Sequence, residues 1–161
     1  MEILDHDLLN LWKNLNEFKV KYIMVGGFAI NLHGFSRTTA DCDIWIEDSQ
    51  INRKNLRSAL EKTEGDSFDY IERMDFVPGW TSIKLSSGLD LDIMTYLKGF
   101  PKESFENCFN ESSTALIYGL SIPFLHINHL LEAKRQAGRP KDLIDIMELE
   151  KIKEQRDASQ D

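Results

Sequence analysis

The sequence predicts an α/β (α+β) domain, in which a mixed β-sheet is flanked by helices and a pair of helices forms the C-terminal end. Short apolar segments that end in turn residues alternate with longer segments whose apolar residues recur at helical spacing. Ser86, Ser87 and Gly88 are typical of a hairpin turn, so the segments 81–85 and 89–96 are expected to pair antiparallel. Because this hairpin is expected beside the first two strands, the sheet should be mixed.

Length and composition indicate a single globular domain. The chain has 161 residues, of which 42% are hydrophobic and 29% are charged, and this length is sufficient for a proper core. The domain is expected to span residues 1–154, with the helices of 127–154 packed on it. Residues 155–161 are expected to be a frayed tail.

The charge and the cysteine content disfavour a broad nucleic-acid-binding protein and a disulfide-stabilised secreted protein. A net charge of −8 disfavours a broad nucleic-acid-binding surface, which needs a basic face, but it is compatible with a metal-bound nucleotide. The acidic N-terminus lacks the features of a signal peptide, and no segment is long and apolar enough to span a bilayer. Cys42 and Cys108 are too few for a disulfide framework. The expected location is the cytoplasm, without membrane attachment.

The first three elements are expected to be a helix, a strand and a shorter helix. Residues 7–19 carry apolar side chains at helical spacing, which predicts a helix packed on the sheet. Its core-facing residues are Leu8, Leu11, Trp12, Leu15 and Phe18. The apolar segment 21–25 is typical of a buried strand, and residues 28–32 can form a short helix that ends at Gly34.

Gly26 and Gly27 lie between that strand and the short helix. Without side chains, a glycine pair lets backbone N–H groups approach an anion closely, and a helix N-terminus adds partial positive charge. The sequence therefore predicts a phosphate-binding turn at this glycine pair.

Asp41 and Asp43 lie at the start of the next strand, 41–46. Side chains alternate along a strand, so the two carboxylates share one face while Cys42 points to the core. Two neighbouring carboxylates repel each other, and a divalent cation between them removes that repulsion. Together with the glycine turn, the pair predicts a site for a metal-bound nucleotide.

The remainder of the chain is expected to add helices and strands around this centre. A helix capped by Asp48 or Ser49 should run to residue 62, followed by a strand at 70–74, a helix at 101–110 and strands at 115–118 and 120–124. Asn128 should cap a helix at 129–137, Gly138 should end it, and Pro140 should open the last helix. The core-facing residues of the first and last of these helices are predicted to be Ile51, Leu56, Ala59, Leu60, Leu143, Ile146, Met147 and Ile152.

The order of Gly26-Gly27, a short helix with His33-Gly34, Ser-Arg-x-Thr and Asp41-x-Asp43 resembles the nucleotidyltransferase fold of the DNA polymerase β superfamily. Within it, the chain is most similar to small bacterial nucleotidyltransferases, including toxin-type members of toxin–antitoxin modules. The resemblance implies two Mg²⁺ (or Mn²⁺) ions, a nucleoside triphosphate as donor substrate, and a third carboxylate on a later strand.

Asp90 and Asp92 are the candidates for that third carboxylate, and both lie on one face of the strand 89–96. In the resembling family, two apolar residues and then a turn with glycine follow the carboxylate. Asp92 fits this frame, because Ile93, Met94 and Gly99 follow it. The resemblance therefore assigns the metal to Asp41, Asp43 and Asp92. Asp90 is expected to be a solvated residue at the strand end.

Three basic residues are further candidates for contact with the nucleotide. The segment around Lys134 and Arg139 resembles the Lys…Gly-Arg-x-Lys-Asp motif of many small nucleotidyltransferases, which implies that both contact the triphosphate, with Asp142 orienting Arg139 or capping the last helix. The alternative is a turn between helices held by Arg–Asp pairs. Arg37 lies in the loop before Asp41, where it either contacts a phosphate or is solvated.

These features together predict transfer of a nucleoside monophosphate from a triphosphate to a hydroxyl acceptor, with release of pyrophosphate. The acceptor remains open among RNA, a protein hydroxyl and a small molecule such as an aminoglycoside. One departure weakens the predicted phosphate grip, because Phe28 stands where the resembling family most often has Ser or Thr. The alternatives are a degenerate nucleotide-binding or partner-docking component of a toxin–antitoxin-like module, with a partner protein, or a plain α/β domain.

Overall fold

The computed structural model describes residues 6–36, 38–39, 41–77, 79–101 and 104–159. Its helices are α1 (His6–Glu17), α2 (Gly26–His33), α3 (Gln50–Glu64), α4 (Tyr70–Arg73), α5 (Phe105–Asn110), α6 (Ile127–Ala137) and α7 (Pro140–Ser159). Its strands are β1 (Tyr22–Val25), β2 (Asp41–Ile46), β3 (Trp80–Lys84), β4 (Asp90–Met94), β5 (Ser113–Ile117) and β6 (Leu120–Phe124).

The strands form one mixed sheet in the order β3-β4-β2-β1-β6-β5. The pairs β1–β2, β3–β4 and β5–β6 are antiparallel, whereas β2–β4 and β1–β6 are parallel. This arrangement confirms the predicted fold class, including the hairpin of β3 and β4 and its place beside the strand with Asp41 and Asp43. It puts β2 and β4, the two strands with paired aspartates, next to each other.

The core forms where α1, α2 and α3 pack on the sheet. Four of the five apolar residues predicted for the first helix are buried, and the fifth, Phe18, is partly buried. Trp12 of α1 contacts Phe28 of α2 edge to face, with 6.3 Å between the ring centroids. These contacts hold α2, and with it the glycine turn, against the end of β1.

The predicted core face of α3 is wrong at its first position, because Ile51 is 77% exposed and Asn52 is buried instead. Ser49 caps the helix by accepting a hydrogen bond from the backbone N–H of Asn52. The Asn52 side chain exchanges hydrogen bonds with the backbone N–H and C=O of Lys21 and donates to the C=O of Glu47. A polar residue therefore fastens this helix to the strands, and the apolar neighbour turns outward.

The segment predicted as a strand at 70–74 is also wrong, because it forms the short helix α4. Arg53 of α3 is buried and donates hydrogen bonds to the C=O groups of Ile71 and Met74, at 3.0 and 2.9 Å. These bonds satisfy carbonyls at the end of the helix that would otherwise lack partners. Local composition does not reveal this support, because it comes from a distant residue.

The last helix is rotated relative to the prediction. Leu143 and Met147 are exposed, whereas Asp142, Asp145 and Leu149 are buried. The predicted core positions Ile146 and Ile152 are partly buried against the core. The helix directs its aspartates toward α6 because Lys134 and Arg139 provide ion pairs there.

Several boundaries differ by a few residues from the predictions. α6 begins at Ile127, and its N-cap is His126, whose Nδ1 accepts a hydrogen bond from the backbone N–H of Asn128. Gly138 ends α6 in the left-handed conformation, and Pro140 opens α7 as predicted. α7 continues to Ser159, past the point where fraying was expected. Within the described ranges, no helix is long and apolar enough to cross a membrane.

Candidate active site

The glycine turn joins β1 directly to α2, since Val25 ends the strand and Gly26 begins the helix. Gly26 has a φ of +68°, and a Cβ added there would overlap the carboxylate of Asp43. A Cβ added to Gly27 would lie 2.6 Å from Oγ1 of Thr39. Both positions therefore require glycine, and they bring the N-terminus of α2 into contact with the aspartate strand.

Asp41, Asp43 and Asp92 lie on one face of the sheet. In the parallel register of β2 and β4, Asp43 is opposite Asp92 and Asp41 is opposite Asp90. Asp43 and Asp92 share a hydrogen bond. Burial, and then the charge of Asp92, raise the pKa of Asp43 to about 7. No Lys or Arg among the described residues forms an ion pair with these three carboxylates.

Asp90 has a different environment from its neighbours. It forms an ion pair with Lys84 on the adjacent strand, at 2.9 Å. It does not line the cleft into which Asp41, Asp43 and Asp92 project. These contacts fit the solvated strand-end residue expected from the sequence.

The opposite wall of the cleft is formed by α6, α7 and the turn between them. The Lys134 ammonium lies 3.3 Å from an oxygen of Asp142 and 3.0 Å from an oxygen of Asp145. The Arg139 Nε and backbone N–H both donate to Asp142, at 2.8 and 3.1 Å. Burial alone would raise the pKa of Asp142, but the hydrogen bonds from Arg139 and the charge of Lys134 outweigh it and lower the pKa to about 2.

The two walls enclose a cleft of about 340 Å³. It is lined by Gly26, Gly27, Thr39, Asp41, Asp43, Asp92, Lys134, Arg139, Lys141, Asp142 and Asp145. All the residues that the sequence suggested for a metal-bound nucleotide lie together here, except Arg37, which is outside the described residues. The chain therefore brings a glycine turn, five carboxylates and three cationic side chains to one place, and the predicted ones are among them.

The residues of the cleft fit a divalent cation by their chemistry. Carboxylate oxygens are the ligands that Mg²⁺ prefers, and the neighbouring charge of Asp92 raises the pKa of Asp43, a repulsion that a cation between the two groups would relieve. Within the part of the chain that the structure describes, however, no three His, Cys, Asp or Glu side chains already converge as metal ligands. Asp41, Asp43 and Asp92 would hold the ion once their side chains turn toward it.

The side chain of Phe28 does not enter the cleft, because it is fully buried against Trp12. The hydroxyl nearest to the glycine turn belongs to Thr39, which donates a hydrogen bond to the C=O of Asp41 at 3.0 Å. Thr39 lines the cleft, and sequence reasoning assigned it no role. Asp145 was missed as well, since nothing in the sequence marks a lone aspartate on a helix as a partner of Lys134.

His33 and Cys42 are structural residues. The His33 Nε2 donates to the C=O of Leu125 at 2.8 Å, and its Nδ1 lies 3.2 Å from a guanidinium nitrogen of Arg156 on α7. Burial lowers the pKa of His33 to about 4, so the ring is neutral near pH 7. Cys42 is fully buried on the face opposite the carboxylates, as predicted, and both cysteines are unpaired.

Comparisons with known proteins agree with this arrangement. A solved structure from Thermotoga maritima, described as a candidate nucleotidyltransferase, superposes with a TM-score of 0.55 at 14% identity over 88% of each chain. An antigenic nucleotidyltransferase-like protein from Paracoccidioides brasiliensis gives a TM-score of 0.53 at 19% identity, over 86% of this chain and 71% of the other. At these identities the likeness concerns the fold alone.

The family of the chain is identified from its sequence. No curated protein matches the chain at significant similarity. The model of the family described as "Nucleotidyltransferase of unknown function (DUF6036)" matches residues 1–157, almost the whole chain. With its mixed sheet, glycine turn and paired aspartates, the chain belongs to this nucleotidyltransferase family.

Proposed function

We propose that this protein transfers a nucleoside monophosphate from a nucleoside triphosphate to a hydroxyl acceptor and releases pyrophosphate, with Mg²⁺ or Mn²⁺ as cofactor. The observation that carries the proposal is that Asp41, Asp43 and Asp92 lie together on one face of the sheet, with Asp43 opposite Asp92, in a cleft that the N-terminal glycines of α2 also line. Packing gives no reason to gather three carboxylates beside a helix N-terminus when no described Lys or Arg forms an ion pair with them. A metal-bound triphosphate satisfies both features.

The cleft has a suitable group for each part of the donor. The backbone N–H groups of Gly26 and Gly27 lie at the N-terminus of α2, where a helix leaves its first N–H groups without intrahelical partners, so they are suited to the β- and γ-phosphates. Lys134 and Arg139, on the facing wall, are suited to the negative charge that develops on the leaving pyrophosphate. When bound, a divalent cation supplies positive charge that stabilises the attacking and leaving oxygens.

The reaction exchanges one P–O bond for another. The acceptor oxygen attacks the α-phosphorus, and the bond from the α-phosphorus to the bridging oxygen breaks, with its electron pair leaving on pyrophosphate. The proton of the acceptor hydroxyl passes to Asp92. Asp92 also lines a second cleft, which lies next to Trp80 of β3. Asp43, next to Asp41 and Asp92, would hold the divalent cation that binds the donor in line with this attack.

The position of the radiolabel in the donor tests this reaction. Each of the four triphosphates is supplied with the label on the α- or on the γ-phosphate, together with Mg²⁺ and mixtures of RNA, protein and small-molecule acceptors. We expect the α-label in an acceptor and the γ-label in pyrophosphate. Inorganic phosphate in place of pyrophosphate would indicate hydrolysis and would contradict nucleotidyl transfer.

A second candidate is a non-catalytic component of a toxin–antitoxin-like module that binds a nucleotide or docks on a partner protein. The exposed apolar residues Leu143, Ile144 and Met147 on α7 favour it, because they lie beside the cleft wall that carries Asp142. Release of pyrophosphate distinguishes the two candidates. A protein that binds a triphosphate with Mg²⁺ but never releases pyrophosphate would support the second.

A further inference from the structure

A second cleft, of about 520 Å³, opens on the other side of Asp92. Gly79, Trp80, Asp92, Tyr96, Lys98 and Arg139 are among the residues that line it. We propose that this cleft binds the 3′-terminal nucleotide of a single-stranded nucleic acid, whose base stacks on Trp80 and Tyr96 and whose 3′-hydroxyl reaches Asp92. The proposal rests on the proposed function and names its acceptor.

The sheet register places Trp80 beside the reactive carboxylate. Trp80 of β3 is opposite Met94 of β4, and Ser82 is opposite Asp92. Residues directly opposite in a sheet share a face, so Trp80 and Asp92 are diagonal neighbours on one face, roughly 7 Å apart. A ring stacked on Trp80 would therefore hold its attached sugar near Asp92.

Tyr96 is fixed at the wall of this cleft by Gly79. The Tyr96 ring lies where a Cβ on residue 79 would be, and Gly79 has a φ of +111°. The N–H and hydroxyl of Thr95 both donate to the C=O of Gly79, at 2.9 and 3.2 Å. These contacts hold the backbone on both sides of the cleft, so the two aromatic rings form a preformed wall.

Both rings are partly exposed, and Trp80 differs in this respect from the other two tryptophans. Trp80 is 49% and Tyr96 is 37% exposed, whereas Trp12 and Trp45 are completely buried. Exposed aromatic rings beside a nucleotide cleft are typical of stacking surfaces for bases. Trp80 lies at the edge of the sheet, so its open side faces the cleft.

The charges of the cleft select among acceptors. The Lys98 side chain is exposed and forms no ion pair with any described residue, and the Arg139 side chain is 53% exposed. Because Arg139 is paired with Asp142, Lys98 is the cation that can meet a phosphate next to the stacked ring, whereas a polycationic aminoglycoside would meet one carboxylate, that of Asp92, among the described residues lining this cleft. The net charge of −8 limits this attraction to the terminal nucleotides and not to a long tract.

The bond changes are those of the proposed reaction. The oxygen of the 3′-hydroxyl forms the new bond to the α-phosphorus, and its proton passes to Asp92. Pyrophosphate leaves with the electron pair of the broken bond. The product is the same strand, longer by one nucleotide, so its new 3′ end can enter the cleft in turn.

Intrinsic fluorescence offers a direct binding test, because Trp80 is the exposed member of the three tryptophans. Short single-stranded RNA and DNA oligonucleotides are titrated into the full chain without any triphosphate. We expect RNA, DNA or both to quench the fluorescence of Trp80. The comparison of the two shows which nucleic acid the cleft binds. An Asp41→Asn variant should show the same quenching, because Asp41 does not line this cleft and binding there does not depend on nucleotide transfer. Absence of quenching by both oligonucleotides would overturn the proposal.

Kinetics then separate the acceptor cleft from the donor cleft. For Trp80→Ala we expect the KM of the oligonucleotide to rise roughly ten-fold or more, while the KM of the triphosphate changes less than about two-fold. Trp80→Phe keeps a ring and should restore most of the affinity. Tyr118→Ala removes a similarly exposed ring next to β5, at the opposite edge of the sheet, and is the matched control.

Other outcomes would overturn one proposal without the other. A rise in the KM of the triphosphate alone would assign the rings to the donor and overturn the acceptor cleft. Transfer of the label to a protein, with oligonucleotides left unlabelled, would do the same. Quenching by oligonucleotides without pyrophosphate release from any acceptor would support the binding cleft and contradict the proposed reaction.

Discussion

The two walls of the candidate active site carry the same residue type in opposite electrostatic states. On the sheet wall, Asp43 shares a hydrogen bond with Asp92, and its pKa is raised to about 7. On the helix wall, Asp142 is fully buried, yet its pKa is lowered to about 2. The difference lies in the partners, because Lys134 and Arg139 form ion pairs with Asp142, whereas Asp43 forms none with a described residue and the charge of Lys134 only partly offsets the rise of its pKa.

This comparison separates structural aspartates from those available to a ligand. The carboxylates of the helix wall use their charge to hold α6 against α7, so they contribute to stability. Those of the sheet wall form no ion pair with a described residue, so they are available to bind a cation, which in turn can bind a triphosphate. Substitutions should therefore affect the two walls in opposite ways.

The largest expected effect is on activity at the sheet wall. Asp43→Asn should lower the rate of pyrophosphate release at least about 10²- to 10³-fold, since it removes a charge that positions the donor. The same change should leave the melting temperature unchanged or raise it, because it relieves the repulsion among three carboxylates. Asp90→Asn, on the same face but paired with Lys84, is the control and should keep near-normal activity. Full activity in Asp43→Asn would contradict the proposed roles.

The next effect is on stability at the helix wall. Asp142→Asn leaves the Lys134 ammonium and the Arg139 guanidinium without this partner, and should lower the free energy of unfolding by about 3 kcal/mol. Urea unfolding at pH 7 measures the change, with Asp157→Asn, an exposed position on the same helix, as control. Equal stability of the two variants would show that the helix wall is not held by its ion pairs.

A smaller effect should come from ligand binding to the sheet wall. A triphosphate with Mg²⁺ at about one hundred times its dissociation constant should stabilise the fold by roughly 2.7 kcal/mol. Thermal unfolding with each of the four triphosphates, with and without Mg²⁺, measures this shift and identifies the preferred base. The shift should disappear in Asp41→Asn. A shift of equal size without Mg²⁺ would argue against a metal between the carboxylates.

The smallest expected effect is the pH dependence of stability due to His33, which connects α2 to α7. His33 on α2 is held by Leu125 and Arg156, and its pKa is lowered to about 4 because the buried ring resists protonation. The unfolded chain takes up this proton near pH 6.5, so stability is full above that pH and falls as the pH approaches 4. Between pH 6.5 and 4.5 the loss should be about 2 kcal/mol. Denaturant unfolding of the wild type and of His33→Gln over this pH range isolates the loss due to His33. If the free energy of unfolding fell equally with pH in both proteins, His33 would be excluded as the cause.

Sequence patterns predicted the sheet wall well and the helix wall poorly. The alternation of Asp41, Cys42 and Asp43 along one strand depends on local geometry alone, so it could be predicted from the chain. The inward position of Asp142 and Asp145 depends on Lys134 in another helix, and apolar periodicity treats every aspartate as solvent-facing. That is why Leu143 and Met147 were assigned to the core in error.

The same reasoning explains the other errors. Asn52 displaced Ile51 from the core because its amide matches three backbone groups of two other segments. Thr39 reached the cleft through its contact with Gly27, which no spacing in the sequence indicates. Contacts between distant segments, and not local preference, decided each of these positions.

Because Cys42 is buried, the rate at which its thiol reacts can report how often β2 unfolds locally. Its thiol lies in the strand between Asp41 and Asp43, completely shielded from solvent, and burial raises its pKa, so the reactive thiolate is scarce in the folded protein. A thiol reagent can modify Cys42 only when the strand leaves the centre of the sheet. The rate of modification therefore reports how often the candidate active site unfolds, and a bound ligand that holds both neighbouring aspartates should slow it.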